Sequence, residues 1–276
     1  MISRKTIRAK LNLPTRRVAS GELEIFESHN FKAGYKNWGD HISAEIVSFF
    51  FDTSFKVCTD PSVAGKTLVV GSVMANAYPG DSVWGAGCIA PGRVGHSRGR
   101  LDVHALRGPL TMNELRKHCD VPNVPFGDPA LLMGKMHTLP EGNADFEYGV
   151  IPHWVDAESP AVARLKQIGV KVIDIRQSTN ELLDDISTVR KLMSSSLHGL
   201  ILADAMGIPN ARVQFSSNVI GGDFKFLDYC LSVGRTHHNH PLSTMTTTAT
   251  LDALAFNDNI NWSPDSLLNN APWHAK

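Results

Sequence analysis

From about residue 23 the sequence alternates short apolar runs with stretches of helical spacing, and this alternation restricts the chain to an α/β architecture. In the first half, strands are predicted at 23–27, 67–70, 82–84, 103–106 and near 124–126. Between them, residues 42–51 carry apolar side chains at helical spacing, Pro109 opens a helix running to about His118, and 128–133 gives a short helix after Gly127. A polar, irregular stretch from Gly134 to Asp145 is the candidate linker. The second half repeats the alternation, with strands at 148–151, 171–175, 191–194 and 211–213 and helices at 160–168, from about 181, after His198 and at 224–233. Such repetition predicts parallel sheets with right-handed crossovers. The expected fold is two Rossmann-like domains facing a cleft, one over 1–137 and one over 145–235, with a tail over 236–276 whose helix near 251–256 packs back on the first domain. In open parallel sheets ligands sit at the carboxyl ends of the strands, so residues just past each predicted strand are the candidates for chemistry.

Charge and cysteine usage exclude several classes. Lys+Arg and Asp+Glu balance at 27 each, so the basic excess used in sequence-independent nucleic-acid binding is absent. The first 17 residues nonetheless hold Arg4, Lys5, Arg8, Lys10, Arg16 and Arg17 without an acid, a pattern that suits either an anionic membrane surface or plain solvation. No apolar signal-peptide core follows that start, and no run approaches the ~20 apolar residues of a membrane span. A cytoplasmic protein is expected, with at most peripheral contact on the cytoplasmic membrane face. Cys58, Cys88, Cys119 and Cys230 are scattered, with no Cys-x-x-Cys pair, and fit reduced structural thiols. The absence of a Gly-x-Gly-x-x-Gly after a predicted strand and of a phosphate-loop motif disfavours nicotinamide and P-loop chemistry, so no cofactor is expected. His237-His238-Asn239-His240 lies in a polar segment without acidic or cysteine ligands nearby, and no metal is expected there.

The richest segment is 194–209, where the polar turn Ser194-Ser195-Ser196 opens into an apolar helix carrying His198 and stopping at Gly207, before Pro209. The first amides of a helix lack internal partners and attract anions, so His198 is either an acid/base group beside an anion seat or a buried histidine in a structural turn. Asn37-Trp38-Gly39-Asp40 precedes the helix near Ile42, where Asp40 either caps the helix or acts on a substrate hydroxyl. Gly71-Ser72 and Trp84-Gly85-Ala86-Gly87 end successive strands with small residues, which serve close approach of a phosphate or sugar, or tight helix-to-sheet packing. Arg107 ends another strand, where a guanidinium can grip a carboxylate or phosphate with two parallel hydrogen bonds. Asp128 reads as a helix cap, and Ile151-Pro152-His153-Trp154 offers a second histidine and an aromatic face on which a sugar can stack, His153 being structural on the alternative reading.

Taken in order, Asn37-Trp38-Gly39-Asp40, Trp84-Gly85-Ala86-Gly87, Leu106-Arg107-Gly108-Pro109-Leu110-Thr111, Gly127-Asp128-Pro129-Ala130-Leu131-Leu132, Ile151-Pro152-His153 and 194–209 resemble the polysaccharide pyruvyltransferase family, in particular bacterial exopolysaccharide ketal-pyruvate transferases of the xanthan and succinoglycan type. The resemblance covers roughly 30–235. It implies a GT-B-like fold, phosphoenolpyruvate as donor and co-substrate, and a cyclic pyruvate ketal built on two hydroxyls of one sugar in an exopolysaccharide or its lipid-linked precursor. It places the acceptor on the first domain and the donor on the second. By the resemblance, His198 is the acid/base residue, and for such a reaction Asp40 is our candidate for activating the acceptor hydroxyl. Arg107, Ser195, Ser196, Gly199, Gly85 and Gly87 would bind the donor, with the helix at Gly199 seating its phosphate. Asn37, Trp38, His153 and Trp154 would bind the acceptor. Several relatives carry arginine immediately before the Leu-His pair, where this chain has Ser196, and Arg107, Arg93, Arg98 and Arg235 are the candidate substitutes for that charge. Two other readings fit similar features: a GT-B glycosyltransferase using a nucleotide sugar, and a non-catalytic carbohydrate-binding subunit relying on Trp38, Trp84 and Trp154.

Overall fold

A computed structural model describes residues 23–28, 37–95, 99–139, 144–257 and 259–273. The basic start, Arg98 and the middle of the expected linker lie outside the described residues. Strands β1 (Leu23–Phe26), β2 (Phe55–Cys58), β3 (Thr67–Leu68), β4 (Ser82–Trp84) and β5 (Asp102–Ala105) form one parallel sheet in the order β2-β1-β3-β4-β5. Strands β6 (Phe146–Ile151), β7 (Lys171–Val172), β8 (Val189–Ser194), β9 (Asn210–Gln214) and β10 (His240–Pro241) form a second, in the order β10-β9-β8-β6-β7, again with every pairing parallel. Within each half the first strand lies between the second and the third, so both sheets reverse direction of growth at one interior point: between β1 and β3, and between β6 and β8. That reversal opens a crevice at the carboxyl ends, because the two flanking connections leave on opposite faces.

Local chemistry explains most of the helices. Pro109 occupies the first turn of Pro109–Arg116, Ser159 caps Pro160–Gln167 through its side chain, and Ser178 and Glu181 close a reciprocal capping box on Thr179–Ser187. Leu197–Ala205 differs, since Leu197 to Ala203 are all buried and the helix is apolar on every face. It fills the space between the halves, packing on the Pro129–Leu132 turn of the first and joining a core that contains both Ile25 and Leu192. Trp38 ties the halves together as well. Its backbone N–H donates to Ile175 O (3.1 Å) and its indole N–H to Thr179 Oγ1 (3.0 Å), whose hydroxyl in turn reaches Glu45 (3.0 Å).

Several elements differ from expectation. Residues 124–126 contribute one bridge, Leu106 to Phe126, rather than a strand, and 128–133 form a tight turn over Pro129–Leu132 that leads into the short helix Met133–Met136. The sequence did not announce β2, whose Val57 is exposed, or β10, because both are edge strands without the continuous apolar run of a buried parallel strand. The helix expected near 251–256 forms over Thr248–Asp252 and packs on the second half, not the first, because Leu251 joins Tyr148, Val150 and Val213 in one apolar cluster. It is Pro264–Leu268 that packs on the first sheet, where Trp84 Nε1 donates to Leu267 O (3.0 Å) and the rings of Phe51, Trp84 and Trp273 meet at centroid distances of 5.1–5.4 Å.

Candidate active site

The two switch points face one cavity of about 540 Å³. Ser28, past β1, and Ser72, past β3, line it from the first sheet; His153, past β6, and Ser196 and His198, past β8, line it from the second. Asn37, Asp40 and Trp154 complete the group of sequence-selected residues in the wall, joined by Lys225, Asn218 and Ile220.

The Ser-Ser-Ser turn divides its labour. Ser194 Oγ bonds Ile151 O (2.7 Å) and accepts from Ser196 N–H (3.0 Å), which fixes the turn into the helix. Ser195 Oγ accepts from the His153 N–H (2.8 Å) and locks the two strand-end loops together. Ser196 makes no side-chain cap bond, so its hydroxyl stays with the cavity it lines. Gly199 gives the helix room against β8, since a Cβ there would lie 2.4 Å from Ser194 Oγ.

His198 is almost wholly buried and held from the opposite wall. A Cβ on Gly39 would fall 1.9 Å from His198 Nδ1, so the glycine of Asn37-Trp38-Gly39-Asp40 is what lets the imidazole pack against the first half. The Asp128 carboxylate stands 3.8 Å from His198 Nε2, beyond hydrogen-bond reach, while its other oxygen caps the turn at Ala130 (3.0 Å). Burial, reinforced by the charges of Arg107 and Lys225, pushes His198 down to about 3, and burial pushes Asp128 up to about 6. The His198 imidazole is therefore neutral near pH 7. His153 is pushed down to about 4 by burial and then by Lys225, and its Nδ1 accepts from Val155 N–H (3.3 Å), leaving Nε2 as the protonated nitrogen.

Asp40 does not cap the following helix, whose N-cap is Ile42 and has no side-chain bond. It accepts from Asn37 Nδ2 (3.2 Å), and burial pushes its carboxyl up to about 6 against the opposing pull of that hydrogen bond. A carboxyl titrating there is suited to general-base work near neutrality.

The cations are distributed in a way the sequence did not reveal. Arg107 has no exposed surface and lies behind the wall: Nε and Nη2 pair with Asp228 (both 3.0 Å), Nη2 donates to Cys88 O (2.5 Å) and Nη1 to Ser72 Oγ (2.8 Å). Asp228 is in turn held by the Thr111 N–H (3.0 Å) and hydroxyl (2.7 Å). Gly87 admits this guanidinium, since a Cβ there would sit 2.3 Å from Arg107 Cζ, and Gly85 similarly clears Pro129. Because Ser72 Oγ accepts from Arg107, its own proton is free for the cavity. Arg235 is spent on Asp204 (2.6 Å) and Asn210 (3.0 Å), and Arg93 is exposed on a loop. Trp38 is buried in the junction rather than in the cavity wall. The cation that does line the cavity is Lys225, in the first turn of Phe224–Ser232. It is 6 % exposed, has no hydrogen-bond or ion-pair partner among the described residues, and is pushed down to about 8 by burial and then by Arg107, with Asp40 pulling the other way. In sequence it looks like one polar position of an amphipathic helix, and no spacing signal separates it from a solvated lysine.

Among the described residues no helix is long and apolar enough to cross a membrane. Residues 93–213 match the family Polysaccharide pyruvyl transferase, the family that the motifs resemble. The chain is 30% identical over 168 residues to Uncharacterized protein L143 of Acanthamoeba polyphaga mimivirus, covering 58% of this chain and 57% of that protein. It is 27% identical over 148 residues to Succinoglycan biosynthesis protein ExoV of Rhizobium meliloti (strain 1021), covering 52% of this chain and 45% of that one. The chain thus spans about half the length of the curated relatives it matches.

Proposed function

We propose, from the premise that this chain is similar to the polysaccharide pyruvyl transferases, that it moves pyruvate from phosphoenolpyruvate onto two hydroxyls of one sugar, closing a cyclic ketal on an exopolysaccharide or its lipid-linked precursor. The observation that carries the reading is the meeting, in one cavity, of a buried ammonium with no hydrogen-bond or ion-pair partner among the described residues, a neutral imidazole and a carboxyl titrating near 6. Phosphoenolpyruvate brings a phosphate and a carboxylate. Lys225, the first amides of Leu197–Ala205 and the Ser72 and Ser196 hydroxyls are the donors for them, and Arg107 adds positive potential from behind Ser72. In this reading Lys225 takes the place of the arginine absent at Ser196.

The reaction needs two oxygen–carbon bonds at C2 and one proton at C3. Asp40 accepts the proton of the first sugar hydroxyl as its oxygen adds to C2, and His198 delivers a proton to C3, turning the methylene into a methyl group. An anionic donor raises the low pKa of His198 by placing negative charge beside the imidazole, so the imidazole gains its proton when the donor is bound. Phosphate then leaves C2 with the bonding electrons, and the second hydroxyl adds to the resulting cation, losing its proton to the departing phosphate or to the His198 imidazole, which is neutral again after protonating C3. His153 and the partly buried Trp154 offer a neutral donor and an aromatic face to the sugar. The GT-B-like arrangement, with acceptor on 1–137 and donor on 145–235, belongs to the same proposal.

The test is phosphate release from phosphoenolpyruvate in the presence of aryl and lipid-linked hexosides, with mass spectrometry of the sugar and His198→Gln as control. Gain of one pyruvate ketal, reduced by about 10²–10⁴-fold in the variant, is expected. No phosphate release across the panel, together with thermal protection by a nucleotide sugar, would sink the reading in favour of a glycosyltransferase.

A further inference from the structure

Beside the cleft, at the carboxyl end of β9, lies a second pocket of about 330 Å³, and Asn218 and Ile220 of the intervening loop line both. Arg212 forms part of its wall and is 7 % exposed. The guanidinium stands 3.8 Å from the Phe226 ring centroid, and Nη1 donates to Asp223 and to His237 Nε2 (3.0 Å), which together fix its orientation. Its other edge carries no hydrogen bond among the described residues. Nε is buried without a hydrogen-bond partner, and Nη2 makes no hydrogen bond among the described residues. Nε–H and Nη2–H side by side form the pair of parallel donors that a carboxylate or phosphate takes bidentately. The contrast with Arg107 is direct, since there the same edge is filled by Asp228. Ser216 and Ser217 line the same pocket, and the Ser216 hydroxyl donates to the buried Asp156 (2.5 Å) and accepts from the Asn218 N–H (3.0 Å), which holds the loop in place.

We propose that this pocket holds an anionic group, a carboxylate or a phosphate, of the saccharide acceptor, so that the protein selects acidic or phosphorylated saccharides over neutral ones. The assignment to the acceptor rests on the reading given above for the cleft, where the two anions of the three-carbon donor already have Lys225 and the helix amides. Asn218 and Ile220 stand between Arg212 and that cleft, and a ligand reaching past them while its reacting sugar stays beside Asp40 must be longer than a three-carbon acid.

The experiment is titration calorimetry of the full chain with methyl glucuronide, glucose 1-phosphate, methyl glucoside and, separately, phosphoenolpyruvate. At least one anionic saccharide is expected to bind about tenfold or more tightly than the neutral glucoside, as two charge-assisted hydrogen bonds imply. Preference for the glucuronide identifies a carboxylate as the group, and preference for the phosphate identifies a phosphate. The advantage should vanish in Arg212→Met, which keeps an apolar stem over Phe226, and return in part in Arg212→Lys. Arg212→Lys alone carries the test if the methionine variant does not fold. Equal affinity for charged and neutral saccharides, or an advantage that survives Arg212→Met, overturns the proposal. So does loss of phosphoenolpyruvate affinity in its stead, which would give the pocket to the donor. If no pyruvyl transfer is found but the Arg212-dependent preference stands, the chemistry proposed for the cleft fails and the anion pocket remains.

Discussion

At the first switch point the chain presents Ser28, Ser72 and Asp40, hydroxyls and a carboxyl; at the second it presents His153, Ser196 and His198, with Lys225 reaching in from the helix after β9. The two sheets have the same strand order and the same parallel direction, so topology alone puts a crevice at the same place in each. What differs is the residue chemistry at the strand ends, an acid on one side and bases on the other, and neither set is complete by itself. The walls also depend on each other sterically, because the glycine that positions His198 belongs to the opposite half. A similar contrast separates the two buried arginines. Arg107, in the first half, has its Nε edge filled by Asp228 and its remaining donors on Cys88 and Ser72, whereas Arg212, in the second, keeps a fork with no hydrogen bond among the described residues. Burial marks both, and only the accounting of hydrogen bonds tells a structural cation from one poised for a ligand.

The largest effect should come from Arg107→Met, which strands Asp228 as an unpaired buried charge and is expected to cost about 3–5 kcal/mol in urea unfolding. If instead the variant unfolds like the parent and loses phosphoenolpyruvate binding, Arg107 acts on the ligand and the contrast between the arginines collapses. Gly39→Ala tests the dependence of one wall on the other. Its methyl group would displace the His198 ring, and kcat/KM should fall by about 100-fold, as a misplacement of roughly 1 Å in a reacting group does. Unchanged turnover would mean that the two walls act independently.

Lys225 predicts a smaller, pH-dependent effect. The groups around it are Asp40, Arg107 and Arg212, and its proton is lost as pH rises through about 8, so phosphoenolpyruvate binding should weaken over that range. Lys225→Met should weaken binding at pH 7 by about tenfold, the worth of one charge-assisted hydrogen bond, and flatten the profile. A steep profile in the methionine variant would assign the titration elsewhere. The last effect concerns stability in acid, where opposing contributions partly cancel. His198 and His153 have folded pKa values below the unfolded one, so the folded state is favoured above about 6.5 and loses that contribution as pH falls towards 3–4. Asp40 and Asp128, raised from 3.8 to about 6, oppose this between about 4 and 6, because there the folded state holds the extra protons. His198→Gln should make the acid decline shallower, and a steeper decline would contradict a neutral buried imidazole.

Much of the site was legible because strand ends are punctuated by small and polar residues, and a parallel sheet gathers strand ends on one side. His153 and Trp154 were singled out past a predicted strand, Asn37 and Asp40 in a motif before a helix, and Ser196 and His198 in a turn that opens one, and the fold brings all six to one cavity. Lys225 was not legible, since its helix carries an ordinary amphipathic pattern and its burial depends on what packs above it. Asp40 was ambiguous between cap and reactant until the N-cap proved to be Ile42. Gly85 and Gly87 were equally ambiguous, and their immediate neighbours are Pro129 and Arg107.

The sequence by itself determined the α/β alternation, the central strands and the helices with clear caps, because these follow from hydrophobic period and from side chains bonding to backbone groups a few residues away. It also determined the family resemblance, carried by motifs in a fixed order. Only the tertiary structure decided the edge strands, the burial of Trp38 in the junction, the pairing of Arg107 and the freedom of Lys225 and Arg212. Those outcomes turn on contacts between residues far apart in the chain: whether a buried charge is satisfied depends on which distant acceptor the fold delivers to it, and no local pattern encodes that.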